Sequence, residues 1–203
     1  MCVSAASTFQ PRVRIRLHDQ IISGQTSLKI LGVSLDQDCT FKTHIECLRS
    51  KLRSRTWVLA KLRKNGLPED KLIRAYTALI RPAIEYASPA WHSMITSEQS
   101  ERLERQQTQA LKNIFGTGIR AGKMRSRAEL PTLFRRREDA CLKFAKKCIG
   151  NVRCSAWFRE RPPSLYHRRK GTTYPKFYER TARTDRFRNS PKNYLLRRLN
   201  SSQ

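Results

Sequence analysis

Apolar residues at helical spacing, in stretches parted by helix-breaking residues, constrain this chain more than any other feature. Phe41, Ile45, Leu48, Leu52, Thr56 and Leu59 recur every three or four positions, with Lys42, Glu46, Arg49 and Arg53 on other faces. Such a stripe is built to be buried. Thr40 is placed to cap this helix and Asn65-Gly66 to end it, since both residues tolerate a left-handed backbone. Pro68 with Glu69-Asp70 opens a second helix, whose stripe is Leu72, Tyr76, Leu79 and Ile80, and Pro82 should stop or kink it. Thr96-Ser97-Glu98 opens a third helix with the stripe Leu103, Gln107, Ala110, Leu111 and Ile114, ended by Gly116 and Gly118. Arg120 to Arg127 reads as a basic loop. A fourth helix is predicted from about Pro131 to Ile149, with Leu133, Phe134, Ala140, Cys141, Phe144, Ala145 and Cys148 facing inward and Gly150 as its stop.

Ahead of the helices, Val13, Ile15 and Leu17 alternate with Arg12, Arg14 and Arg16, the period of a half-buried strand. Ile21-Ile22 and Leu28 to Leu35 supply further strand material. So few strands need a helix or another sheet to cover them. Beyond Gly150 the periodicity fades. Residues 156–203 hold 13 Lys+Arg, 3 acids and 8 aromatics, with Pro162-Pro163, Pro175 and Pro191, which reads as an irregular basic tail. The predicted fold is therefore mainly α with a small N-terminal β hairpin, an α+β class. Its expected divisions are a β element at 1–36, a helical domain at 37–150 and a tail at 151–203.

The charge narrows the class of partner. The formal net charge is +26, divided as +8 over residues 1–119 and +18 over residues 120–203. A field that positive favours a polyanion, nucleic acid before an anionic membrane. No stretch is apolar for the ~18–20 residues a membrane span needs. Cys2, Cys39, Cys47, Cys141, Cys148 and Cys154 follow no secretory apolar core, so a reduced intracellular chain, nuclear or cytoplasmic, is expected. Arg12, Arg14 and Arg16 without an acid are faintly like a mitochondrial presequence, but their strand-like alternation argues against one. The cysteines do not form the paired C-x-x-C spacing of a zinc site, so no metal and no cofactor is expected. His18, His44, His92 and His167 are scattered with no nucleophile beside them, and nothing marks a small-molecule substrate.

Motifs then add a likeness. Lys29-Ile30-Leu31-Gly32-Val33-Ser34-Leu35-Asp36, followed by Phe41-Lys42-Thr43-His44-Ile45, resembles the segment that ends the palm of non-LTR retrotransposon reverse transcriptases and hands the chain to a helical thumb. Leu59-Ala60-Lys61-Leu62-Arg63 and Gly66-Leu67 resemble the first thumb helix and its turn, and Tyr76 to Pro82, Ile84 to Ala87 and Trp91-His92 are similar to the post-palm signature of LINE- and jockey-like elements. Leu103-Glu104-Arg105, Ile114-Phe115-Gly116, and Arg135-Arg136-Arg137-Glu138 with Cys141 to Ala145 continue it in order, over about residues 27–150. The resemblance implies a thumb-like helical bundle and a parent activity of RNA-directed DNA polymerase with Mg²⁺ on palm aspartates. Clustered carboxylates are needed there, because two metals hold the attacking and leaving oxygens. Only 28 residues precede Lys29, and the sequence contains no Asp-Asp pair. Asp36 and Asp38 are expected to cap the helix that follows. The expected function is thus nucleic-acid binding by a truncated reverse-transcriptase-like protein with no polymerase chemistry of its own. The other reading is a basic protein that binds RNA or an acidic partner, its retroelement likeness only ancestral.

Candidate nucleic-acid-binding residues follow. By the resemblance, Lys29 and Gly32 belong to a hairpin like the primer grip, where a residue without Cβ admits a close backbone approach; a strand glycine at a packing contact is the plainer alternative. Arg49, Lys51, Arg53, Arg55 and Lys61 on the first helix suit phosphates, or form a solvated face. Arg168, Arg169 and Lys170 add a basic cluster in the tail. Trp57, Trp91, Tyr76 and Tyr86 are expected in the core. Trp157, Phe158, Tyr166, Tyr174, Phe177, Tyr178 and Phe187 alternate with Arg and Lys, which suits RNA or a sticky tail.

Overall fold

In chain order, the elements of the computed structural model are strands β1 (Ile15–Leu17), β2 (Gln20–Ile22), β3 (Ser27–Ile30) and β4 (Val33–Asp36), then helices α1 (Lys42–Lys64), α2 (Glu69–Ala75), a π-helical turn (Tyr76–Ile80), α3 (Arg81–Glu85), α4 (Ser88–Trp91), α5 (Ser97–Phe115), α6 (Ala121–Arg127), α7 (Leu133–Ile149), α8 (Val152–Ser155), α9 (Asp185–Arg188) and α10 (Pro191–Ser201). The described residues are 15–22, 25–160 and 176–202. They fall into two units, residues 1–86 with 95–133, and residues 87–94 with 134–203. The mainly helical α+β class expected from the sequence is what the structure has.

The strands of the first unit form two separate antiparallel hairpins. Ile15 pairs with Ile22 in one, and Ile30 with Val33 in the other. The second hairpin turns on Leu31-Gly32, both at positive φ (46° and 84°). Two left-handed residues match the twist of the flanking strands. Val13 lies outside the described residues.

β4 packs on α1 and sets its start. Thr40 does not cap this helix. Phe41 occupies the cap position at φ 55°, its ring buried. The cap oxygen comes from Asp36, whose Oδ2 accepts the Thr43 N–H at 3.2 Å. Asp38 holds the turn instead, accepting from the Thr40 hydroxyl at 3.0 Å. Asp36→Ala is therefore expected to lower stability by about 1 kcal/mol, with Asp36→Asn retaining most of it. Thermal unfolding by circular dichroism measures the difference.

α1 packs along α5, which opens with a reciprocal capping box. The Gln99 N–H reaches the Thr96 hydroxyl at 3.2 Å, and the Thr96 N–H reaches Gln99 Oε1 at 2.7 Å. α2 does not stop short of Pro82. It widens into the π-helical turn, where the Arg81 N–H bonds the Tyr76 carbonyl. Proline has no N–H and crowds the carbonyl four residues back, and a widened turn relieves both. The segment 120–127, read as a loop, is helical in α6. Met124 anchors it, fully buried, while Arg127 reaches Glu69 at 2.7 Å.

In the second unit, Cys141, Ala145 and Cys148 of α7 pack with Phe158, Phe177, Leu195, Leu196 and Leu199. Phe134 and Phe144, expected inside, are 46% and 41% exposed. Phe144 lies about 60° around the helix from Cys141, and the buried stripe is completed by Arg137. Within the stretch read as irregular, residues 185–188 and 191–201 are helical. Pro191 stands in the first turn of α10, a place that tolerates its missing N–H.

Candidate nucleic-acid interface

A groove of about 430 Å³ opens in the first unit between the β3–β4 hairpin, α1 and α3. Lys29 and Gly32 come from the hairpin, Lys51 and Arg55 from α1, and Tyr86 from the residue after α3. Positions 44, 48, 51 and 55 lie on one line along a helix, so His44, Leu48, Lys51 and Arg55 all face it. Pro82, Ala83, Ser34 and Cys47 complete the wall, which contains no carboxylate.

The hairpin is fixed to this wall. The Tyr86 hydroxyl donates to the Leu31 carbonyl at 2.8 Å. A Cβ at Gly32 would meet the Tyr86 ring at 3.5 Å, on a backbone at φ +84°. Glycine is thus required by conformation and tolerated closely by the ring. The Arg55 guanidinium donates to the Leu79 carbonyl in the π-helical turn, tying α1 to the segment before α3. The Ser34 N–H donates to His44 Nδ1 at 3.4 Å. Burial, then the Lys51 charge, lower the His44 pKa against an opposing pull from Asp36. The imidazole is neutral at pH 7, so the positive charge of the groove comes from Lys29, Lys51 and Arg55.

Three other candidates on α1 lie away from this groove. Arg49 bonds Glu46 at 3.0 Å, and Arg102 bridges Glu46 to Glu98. Arg53 sits two positions from both Lys51 and Arg55, roughly 200° around the helix from each. Lys61 lies over the ring of Trp57 at 5.1 Å. Arg168, Arg169 and Lys170 fall outside the described residues. Of the described candidates, the groove therefore gathers Lys29, Gly32, Lys51 and Arg55 and leaves out Arg49, Arg53 and Lys61.

Of the four aromatics expected in the core, Trp91 and Tyr76 are fully buried, and burial pushes the Tyr76 hydroxyl up to about 12. Trp57 and Tyr86 are 62% and 55% exposed, which corrects that expectation. The signal was present in the spacing. Trp57 is two residues from the buried Leu59 and so sits across α1 from the stripe, while Tyr86 lies just past the end of α3, where the chain has left the helix.

The chain is similar to a retrotransposon RNA-directed DNA polymerase. Over 77 residues it is 31% identical to the RNA-directed DNA polymerase from mobile element jockey of Drosophila funebris. That match covers 36% of this chain and 8% of the jockey protein. No family model matches the chain. No solved structure matches it either.

Among the described residues, no three His, Cys, Asp or Glu side chains come together as a metal site requires. Cys141 and Cys148 are buried thiols on the apolar face of α7, and burial pushes Cys141 up to about 12. No helix among the described residues is long and apolar enough to cross a membrane.

Proposed function

We propose that this chain binds the backbone of a nucleic acid as a thumb-like part of a non-LTR reverse transcriptase, and that its 203 residues carry no polymerase chemistry. The observation that carries the reading is the groove, where Lys29, Lys51 and Arg55 converge with Gly32 and Tyr86 and no carboxylate opposes them. Cations on a rigid helix and a tethered hairpin suit phosphates, which position a nucleic acid without reading its sequence. The hairpin is the segment that resembles the palm's end, and α1 the helix that resembles the thumb's start. The jockey similarity supports the same reading. The missing Asp-Asp pair supports its second half, as does the commitment of Asp36 and Asp38 to a helix cap and a turn.

The test uses the double variant Lys29→Glu/Lys51→Glu, since neither side chain is needed for a fold contact described above. Each lost phosphate contact removes about 0.9 from the slope of log affinity against log salt on duplex DNA. The double variant should bind a primer–template duplex at least about tenfold more weakly at low salt and with a slope shallower by about 2. Arg53→Glu, on the far side of α1, should change both far less. Equal effects from Arg53→Glu and the double variant would mean that diffuse charge, and not this groove, holds the duplex. The purified chain should also fail to extend a primer in Mg²⁺ or Mn²⁺; metal-dependent extension by a clean preparation would overturn the second half of the reading.

A further inference from the structure

The second unit holds another groove. Residues 159–160 and 177–178 run antiparallel. Glu160 and Phe177 form a bridge, and the Tyr178 N–H donates to the Arg159 carbonyl at 3.1 Å. Just before Arg159, Trp157 and Phe158 close a turn, their N–H groups donating to the Cys154 and Ser155 carbonyls at 2.9 Å. Phe158 and Phe177 go into the core, 4% and 3% exposed. Trp157, Arg159, Tyr178 and Arg180 are left to line one outer face. Asn200 of α10 clamps this arrangement, accepting the Phe177 N–H at 2.9 Å and donating to the Phe177 carbonyl at 3.3 Å.

The resulting groove has a volume of about 510 Å³, with Leu196 at its floor and Lys192 on its wall. Trp157 is 50% exposed and Tyr178 39%. No carboxylate lines the groove, and among the described residues none pairs with Arg159, Arg180 or Lys192. The nearby Glu160 is already held by Lys176 at 3.1 Å. Two half-exposed aromatic rings within a cluster of three unopposed cations need a ligand that is flat and apolar on its faces and anionic at its edge.

We propose that this groove takes an unpaired nucleotide of single-stranded nucleic acid, with its base against Trp157 and Tyr178 and its flanking phosphates on Arg159, Arg180 and Lys192. A single strand exposes the face of every base to an aromatic ring. A duplex hides those faces inside its stack and offers this site phosphates alone. An acidic peptide would satisfy the cations but leave the rings wet. The volume lies within the roughly 300–1,000 Å³ typical of small-ligand sites, and suits one nucleotide. The proposal does not rest on the reading of the first unit, because different residues carry it and a different form of nucleic acid fills it.

The experiment compares binding of the full chain to a labelled single-stranded oligouridylate and to a blunt duplex of equal length, at physiological salt. Trp157→Ala/Tyr178→Ala should weaken the oligouridylate by about tenfold or more and the duplex hardly at all. Trp157→Phe/Tyr178→Phe keeps two stacking faces and should retain most of the affinity. Ultraviolet crosslinking of the unaltered chain to the same oligouridylate, mapped by mass spectrometry, should place uridine on Trp157 or Tyr178. Equal loss on both ligands, no loss, failure of the phenylalanine pair to rescue, or crosslinks confined to other residues would each overturn the proposal. So would displacement by polyglutamate as effective as by unlabelled oligouridylate, which would make the groove a site for acidic peptides.

Discussion

Replacing Arg137 with alanine is expected to destabilise the second unit by about 3 kcal/mol or more. Arg137 is fully buried on the inner stripe of α7. Its Nε donates to His92 Nδ1 at 3.3 Å, and its guanidinium stands 5.8 Å from the ring centre of Trp91, itself fully buried. Alanine would leave a cavity against Trp91 and take the donor from a buried imidazole nitrogen. Both penalties act in the folded state, where little can relax to fill the space. Methionine tests the balance. It refills most of the volume and removes a buried charge, whose desolvation opposes folding, so Arg137→Met should cost no more than about 1–2 kcal/mol. Denaturant unfolding followed by tryptophan fluorescence separates the two variants. If alanine and methionine cost the same, the guanidinium's own hydrogen bonds, and not the space it fills, hold the unit.

Arg137 also shows where the sequence stops being legible. Arg135-Arg136-Arg137 reads as one basic motif, yet Arg135 is exposed beside Asp139 at 3.5 Å while Arg137 points into the core. A helix turns each successive residue by about 100°, so adjacent charges cannot share an environment. Lys51, Arg53 and Arg55 were misleading in the same way: only the first and third reach the groove. The long elements were readable because their signals are local and agree. α1 has an unbroken apolar stripe, and α5 has both a stripe and a capping box. α6 has one buried side chain, Met124, among basic residues, too weak a period to register as a helix. α10 hides behind Pro191 and the basic composition around it, although Leu195, Leu196 and Leu199 mark a helix face.

The groove was half legible. Lys29, Gly32, Lys51 and Arg55 could each be named from the sequence, but not the contact that joins them. That contact runs from Tyr86 to Leu31 across 55 positions, and local periodicity carries no information about it. The cap of α1 was partly legible: Asp36 and Asp38 were both expected to cap it, and Asp36, at the end of β4, supplies the oxygen while Asp38 holds the turn. Long-range polar bonds of this kind decide which of many exposed cations become neighbours, and so which surface can act as a site.

Acidification should destabilise the fold through His92. Burial, then the charges of Arg137 and Arg198, lower its pKa from 6.5 to about 4. His92 is 5% exposed, with the rings of Phe134 and Tyr194 edge-on at 5.2 and 5.7 Å. The nearby Glu138 offers little relief, because Arg198 holds it at 3.1 Å and the Tyr194 hydroxyl donates to it at 3.4 Å. Protonating His92 would put a cation beside Arg137 and turn Nδ1 from acceptor to donor, breaking the bond between them. Above pH 6.5 the imidazole is neutral in both folded and unfolded chains, and it contributes no pH dependence. As pH falls from 6.5 to 4 the unfolded chain takes up the proton and the folded chain does not, so stability declines through that window by about 3 kcal/mol and then levels. His44, also lowered by burial, adds to the decline in the same direction. Carboxylates titrate near the lower end of the window too, so the informative quantity is the difference between the unaltered chain and His92→Gln, whose amide can still accept from Arg137. That difference should grow steadily from pH 6.5 to 4 and be flat above it. A slope that survives in the glutamine variant would place the acid sensitivity in other groups and leave His92 a bystander.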